Sequence, residues 1–511
     1  MRRPSMQRTG AFLLAFTTAA FTPAISLAST LITGATVYDG TGAAPRKVAV
    51  RVDGDRILAV GALKRRKGEA EIKAKGLALA PGFIDAHSHH DRGDYADRTM
   101  PPLLAQGVTT IVIGQDGESD GPFAQVAAKF AARPAAINVA SYTGHGFLRD
   151  TVMGNDFKRT ATPAEVKAMQ ALLAADIKAG SLGLATGLEY DPGIYSDHGE
   201  LLDLAQTTAT GGGRYISHMR SEDNRIDAAL DELLDLGEKT GVPVQISHLK
   251  LAMVDRWGEA KKVLAKLEAA RSAGIKVTAD VYPYDYWQST LTVLFPKRDF
   301  TDIAAARYAL TKLTTPAGMR LGYYAPNPDF VGKAIADIAA ERKEEPAATY
   351  LWLIQTAEAW RAAHPGQSVE TVMGTSMAPG DIADFISWKH TSICSDGAIG
   401  SRHPRGYGAF PKVLRVYVRE QRRLTLAEAV RKMTSLAADN AGLTERGRIR
   451  PGQKADLVLF DPARITDTAT VENPNSLAQG VNKVMVNGAL VWDQGKPTGA
   501  TPGQFLKRGN L

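Results

Sequence analysis

The sharpest chemical signal in the chain is His87-Ser88-His89. On an extended strand, residues two apart share a face, so these two imidazoles can reach one cation. An isolated pair of this kind is more often structural than not. Its meaning changes because His87, His89, Asp116, His145, His218, His248 and Asp396 each close an apolar, strand-like run. Seven of the ten histidines (87, 89, 90, 145, 218, 248 and 403) fall at such ends or in the loop after the last run. Imidazole and carboxylate donors in this number point to a divalent metal centre of one or two ions. Zinc comes first, because such sites leave positions open for water; manganese, cobalt and iron are the alternatives.

Residues this far apart in sequence meet only if the elements ending in them converge. Eight candidate strands end within residues 83–91, 109–117, 137–146, 181–190, 214–220, 242–250, 275–284 and 391–397. Amphipathic helical stretches such as PAEVKAMQALLAADIKAG and AALDELLDLGEKTG lie between them. Alternation of this kind is the pattern of repeated βα units. A TIM-like (β/α)8 barrel places all C-terminal strand ends on one rim, which suits the donors better than a doubly wound open sheet. The expected class is therefore α/β, with the barrel spanning residues 81–445 and a helical insertion or lid over about 285–390. Residues 29–80 and 446–511 read instead as short strands with turn signals at Asp53-Gly54 and Asn487-Gly488. Together they predict one small β-sandwich built from both ends of the chain.

Composition sets the remaining bounds. In 511 residues, 44% are hydrophobic and 23% charged, as in a globular enzyme larger than one core usually allows. Arg2, Arg3 and Arg8 precede the apolar run AFLLAFTTAAFTPAI and the small residues Ser26-Leu27-Ala28. This predicts a signal peptide over 1–28, cleaved near Ala28, and an exported protein, periplasmic or secreted, without a stable membrane anchor. The signal segment holds three Arg and no acid. The formal charge of +7 thus falls to +4 beyond it, too little to argue for nucleic acid. Cys394 is the single cysteine, so no intramolecular disulfide forms, and its place in a strand run marks it as a packed thiol rather than a nucleophile.

Several longer strings sharpen the reading. PGFIDAHSHHD, GVTTIVIGQDG, NVASYTGHGFLR, GLATGLEYDPG, YISHMRSE, ISHLK, VYPY and SDG…HPRGYGAFPKVLRVYVRE occur in the order found in the amidohydrolase superfamily. Within it, nearly all of the chain after residue 28 resembles the D-aminoacylase (N-acyl-D-amino-acid deacylase) family. The resemblance implies that His87 and His89 face one metal position and His218 and His248 the other. It makes Asp396 both a donor and the catalytic acid/base. It also implies that Lys250, Tyr282 and Arg405 bind the substrate carboxylate and that Tyr190 lines the acyl side. One departure stands out: where the family usually has Asn-Cys, with the cysteine as a metal ligand, this chain has Gln115-Asp116. Asp116 is either a harder metal donor in that place or a hydrogen-bond partner of a ligating histidine. No lysine stands there or at the fourth strand end, which argues against a carbamylated lysine bridge.

These assignments imply hydrolysis of a small N-acyl amino acid by metal-activated water, with Asp396 carrying the proton. His145 serves the tetrahedral oxyanion or orients Asp396, against the plainer reading of a structural histidine between Gly144 and Gly146. The competing functions are a cyclic amidase of dihydroorotase or hydantoinase type, a metallodipeptidase, and a non-catalytic barrel-shaped binding protein. Acyl group, side-chain preference, metal count and oligomeric state are not legible at this level.

Overall fold

Eight short runs rich in buried apolar residues pair side by side in parallel, and they coincide with the eight strand ends expected. In the computed structural model, which describes residues 29–91 and 96–509, they are β1 (Phe83–Asp85), β2 (Val108–Ile113), β3 (Asn138–Ser141), β4 (Gly183–Gly187), β5 (Arg214–His218), β6 (Val244–Ile246), β7 (Val277–Val281) and β8 (Thr391–Ile393). The predicted signal peptide lies outside the described residues. Every residue of β2, β4 and β7 is buried, as expected of strands covered by helices on one face and by barrel filling on the other.

The pairing runs β1-β2-β3 in one ladder. The short strand Thr143–Gly144 then pairs with β4, which leads through β5, β6 and β7 to β8. Two seams close the ring. Leu182 N–H donates to Ser141 O at 2.9 Å between β3 and β4. At the functional rim, Asp396 N–H donates to His87 O at 2.9 Å and His89 N–H to Gly397 O at 2.8 Å, joining the ends of β8 and β1. The result is a (β/α)8 barrel.

The helices between strands start and stop on local chemistry. Pro163–Ala179 opens with Pro163 in its first turn behind Thr162, whose hydroxyl accepts from Glu165 N–H while Glu165 reaches back to Thr162 N–H. Ile226–Thr240 buries Leu230, Leu233 and Leu234 and stops at Gly241, whose φ of +70° ends the helix.

The insertion is not simply helical. Tyr286–Ser289, Glu370–Thr375 and Met319–Tyr324 form a three-stranded antiparallel sheet with Glu370–Thr375 in the middle, backed by the helices Ile335–Arg342 and Pro346–Ala363. The run MRLGYY alternates buried and exposed residues only in part, which is why its strand signal was weak. Helix Pro379–Ser387 packs on β8 and on helix Ala260–Ser272, so it belongs to the barrel's outer layer and not to the insertion.

Both chain ends build the sandwich. Strands from residues 30–73 form one sheet, and strands from 36–37, 78–81 and 457–497 the other. Ile32, Val52, Ile57 and Leu79 share one apolar cluster with Leu457, Leu459 and Met485. Both expected hairpins are present, the first with Gly54-Asp55 as its loop, one residue later than expected, and the second with Asn487-Gly488. Asn487 (φ +47°) and Gly488 (φ +78°) both take the left-handed conformation that a two-residue hairpin needs. The tail then leaves the sandwich for the barrel: Leu506 N–H donates to Val139 O at 2.6 Å, and Phe505 packs against Phe123 and Phe130.

A buried polar knot joins the two units. Asp456 accepts from Asn487 N–H at 2.7 Å, from Asn138 Nδ2 at 3.2 Å and from Arg446, whose second arm reaches Asn487 Oδ1 at 2.9 Å. Asp456→Ala leaves the Arg446 guanidinium buried without its counter-charge, a loss of about 3–5 kcal/mol. The expected readout is a lower urea midpoint; a midpoint equal to the parent's contradicts this role for Asp456.

Candidate metal centre

The donors sit at the strand ends, His218 as the last residue of β5 and the others in the turns just beyond. Asp116 follows β2 in the turn Gly114-Gln115-Asp116-Gly117, and its own φ is +53°. His248 (+36°) and Asp396 (+49°), after β6 and β8, are left-handed as well. Each such residue costs on the order of 1–3 kcal/mol, so the surrounding structure must hold it there. It does so in two visible ways. The Asp116 carbonyl lies where a side chain on residue 187 would project, 2.0 Å from that Cβ position, which only Gly187 permits. The backbone N–H of His248 donates to Asp280 Oδ1 at 2.8 Å, and Gln245 Nε2 fixes the other oxygen of Asp280 at 2.6 Å.

Around Asp116 the side chains close in. Its Oδ1 lies 3.4 Å from His87 Nε2 and 3.4 Å from His248 Nε2; its Oδ2 lies 3.2 Å from His89 Nε2. Asp396 Oδ1 is 3.6 Å from His87 Nε2 and 3.4 Å from His89 Nε2. His218 Nδ1 faces His248 Nε2 at 3.1 Å. Two donor groups share Asp116, His87-His89-Asp116-Asp396 and Asp116-His218-His248, and a third, Glu189-His218-Glu222, adjoins them.

These separations fit a metal. Tetrahedral donors bonded to zinc at about 2.0–2.2 Å lie about 3.3–3.6 Å from one another. That is a poor distance for hydrogen bonds and a good one for neighbouring ligands. Among the described residues, neither ring nitrogen of buried His87 nor Oδ1 of buried Asp116 finds a hydrogen-bond partner, an expensive arrangement that a cation relieves.

The electrostatics agree. Burial raises the carboxyl of Asp116, but the His87 and His248 rings outweigh it and hold the group well below the ordinary range. Asp396 is likewise buried and is driven the other way by Arg405, His248, His89 and His87. Burial and Lys250 lower His248, yet Glu222, Asp116 and Asp396 prevail and push it up to about 10. The acids thus stay anionic beside one another and favour positive charge placed among them.

Sequence reasoning overlooked two carboxylates here. Glu189 Oε2 lies 3.0 Å from His218 Nε2, and Glu222 Oε1 lies 2.9 Å from His248 Nδ1. Both stand inside strings singled out for other residues, GLATGLEYDPG and YISHMRSE, and four-residue spacing from His218 was the one available hint for Glu222.

The centre opens into a cavity of about 660 Å³. Lys250, Tyr282, Arg405 and Tyr190 line it as expected, and they are already engaged. Lys250 Nζ reaches both oxygens of Glu222 at 2.6 Å, and Arg405 Nη1 reaches Asp396 Oδ2 at 2.6 Å. The Arg405 guanidinium lies 4.8 Å from the centre of the Tyr282 ring, and both the Tyr282 hydroxyl and Arg405 Nε are buried with no acceptor among the described residues. His403 orients this loop: its Nδ1 accepts from Arg405 N–H at 3.1 Å, its Nε2 meets Tyr286 O at 3.0 Å, and burial together with Arg405 keeps the ring neutral. The Tyr190 ring packs on His218, with centroids 4.5 Å apart.

His145 does not join them. It begins a helix, His145–Met153, four residues beyond the end of β3, and its Nε2 is bound to Glu200 Oε1 at 2.7 Å. Glu200 also takes Arg149, and His145 is absent from the cavity lining among the described residues. This placement supports the structural alternative for His145. Cys394 is fully buried, and burial, with Asp280 beside it, pushes its thiol well above the ordinary range, as a packed thiol requires.

A family model described as an amidohydrolase family matches residues 70–352 and 390–492. An N-acyl-D-aspartate deacylase from Alcaligenes xylosoxydans xylosoxydans is 38% identical over 507 residues, covering 94% of this chain and 95% of the relative. A D-aminoacylase from the same organism is 34% identical, covering 94% and 97%. The chain belongs to the D-aminoacylase family of amidohydrolases. Solved structures of the family superpose closely. A D-aminoacylase matches with a TM-score of 0.83 at 35% identity, covering 94% of this chain and 99% of that one. An N-acyl-D-glutamate deacylase from Bordetella bronchiseptica, complexed with zinc and a phosphonate mimic of the tetrahedral intermediate, matches at 0.84 and 32% identity with the same coverage. Hydantoinase structures at 16% identity share the fold alone.

Because Asp116 belongs to two donor groups, Asp116→Ala should weaken zinc binding at both, and Asp116→Cys should recover part of the loss through a competent thiolate. Titration of metal-free protein against a competing chelator measures this. Parental affinity in the alanine variant removes Asp116 from the donor set.

Proposed function

We propose that this protein hydrolyses the amide bond of N-acyl-D-amino acids, using zinc held by His87, His89, Asp116, His218, His248 and Asp396. The observation that carries the reading is the cavity geometry: a cluster of histidine and aspartate donors at the barrel rim, with both His87 nitrogens and Asp116 Oδ1 unpartnered among the described residues, faces cationic and hydroxyl groups of Lys250, Tyr282 and Arg405. The named activities of the relatives, deacylation of N-acyl-D-aspartate and N-acyl-D-glutamate, support it.

When bound, zinc supplies Lewis acidity toward the nucleophilic water and the scissile carbonyl. Asp396 does the proton work. Arg405 anchors its Oδ2 and leaves Oδ1 directed toward His87 and His89, where the water's proton is accepted. The same oxygen then returns that proton to the departing nitrogen, since an amide leaves as the amine and not as its anion. Arg405, Lys250 and Tyr282 receive the substrate carboxylate. The planar fork of Arg405 fixes which face of the α-carbon is presented, and hence the chirality accepted. This demand for a free carboxylate favours an N-acyl amino acid over a simple hydantoin or dihydropyrimidine, whose ring carries none.

Asp396→Asn should retain most of its metal, because the other donors persist, and should lose about 100-fold or more in kcat. Full turnover contradicts the proton role. Arg405→Lys should raise KM strongly for free N-acyl-D-amino acids and much less for their esters, with metal content unchanged. Equal effects on both substrate types, or a parent enzyme that prefers N-acyl-L-amino acids, overturn the assignment.

A further inference from the structure

We infer that Glu189 and Glu222 are paired positioning residues that determine which nitrogen of His218 and His248 is free to bind a cation, with Glu222 also accepting the protons that Lys250 would otherwise direct at the His248 ring. The inference rests on the reading of His218 and His248 as metal ligands.

A neutral imidazole binds a cation through one lone pair, so its other nitrogen must carry the proton and needs an acceptor. Each of these rings has one. His248 directs Nε2 toward Asp116 Oδ1 at 3.4 Å and Nδ1 toward Glu222 Oε1 at 2.9 Å. His218 is turned the other way round, with Nδ1 toward the centre, 3.1 Å from His248 Nε2, and Nε2 toward Glu189 Oε2 at 3.0 Å. The two carboxylates are tied together, since Glu222 N–H donates to Glu189 Oε1 at 3.2 Å.

Lys250 makes Glu222 necessary. Its Nζ lies 2.7 Å from His248 Nδ1. An ammonium only donates. If it donated to Nδ1, the ring proton would be forced onto Nε2, the nitrogen that faces Asp116, and the ring would be useless as a ligand. Glu222 removes the conflict by accepting from both neighbours: its two oxygens lie 2.6 Å from Nζ, and one of them also takes the Nδ1 proton. All five side chains are buried or nearly so, where solvent cannot substitute for a missing acceptor. Glu189, His218 and Glu222 are also close enough to hold a cation themselves, and the test below separates that role from positioning.

The experiment titrates zinc into the metal-free full-length parent and into Glu189→Gln, Glu222→Gln, Lys250→Met and Glu222→Gln/Lys250→Met, with circular dichroism confirming the fold of each. The two glutamine variants should bind zinc about 10- to 100-fold more weakly at unchanged stoichiometry. Lys250→Met should bind with parental affinity, and the double variant should recover most of what Glu222→Gln loses, because the competing ammonium is gone. Glu222→Gln should also raise KM for free N-acyl-D-amino acids. Parental zinc affinity in both glutamine variants overturns the inference. So does loss of a whole zinc equivalent with the remainder unaffected, which makes the carboxylates ligands, and so does a double variant no better than Glu222→Gln. A parent that binds no zinc overturns instead the underlying reading of the metal centre.

Discussion

The Asp116 carboxylate, set between the imidazoles of His87, His89 and His248, is the contact on which the rest of this site depends. Its two oxygens face different rings, so a single side chain spans two donor groups. Holding it there requires a left-handed backbone at Asp116, glycines on either side, and a bare backbone at Gly187 to admit its carbonyl. The strands supply rigidity and the glycines supply space. Neither is sufficient without the other, which explains why strain at Asp116, His248 and Asp396 is concentrated at the rim and nowhere in the strands themselves.

From that centre, charge propagates outward in shells of alternating sign. Carboxylates face histidines, and beyond them Lys250 and Arg405 face Glu222 and Asp396. A substrate carboxylate entering the cavity thus meets cations that already have partners, and binding must redistribute hydrogen bonds instead of filling empty donors alone. The unpartnered Tyr282 hydroxyl and Arg405 Nε are the donors that gain outright. In the place where the resemblance puts a cysteine ligand, the harder carboxylate of Asp116 would offer a metal two donor atoms where a thiolate offers one.

Much of this was legible in the sequence, for physical reasons. Strand ends were readable because buried parallel strands are apolar throughout and their termini are abruptly polar. His87, His89, His218, His248 and Asp396 all lay at such edges, and the hairpins near Asp53-Gly54 and at Asn487-Gly488 announced themselves by turn chemistry. His145 also follows a strand directly, Thr143–Gly144, but it opens a helix and its Nε2 is bound to Glu200 instead of facing the other donors. Glu189 and Glu222 were invisible because a carboxylate's role depends on what it faces, and nothing in local spacing says that Glu189 meets a ring on the next strand. The pairing of Arg405 with Asp396 was hidden for the same reason, as was the sheet of the insertion, whose strands are separated by dozens of residues.

Diffraction at the zinc absorption edge from crystals of the zinc-loaded protein tests the central claim most directly. Anomalous density is expected within bonding distance, about 2.0–2.2 Å, of an Asp116 oxygen, with His87 and His89 or His218 and His248 completing the sphere. Zinc bound by the histidines while Asp116 only hydrogen-bonds a ring from behind, with no oxygen on the metal, contradicts it.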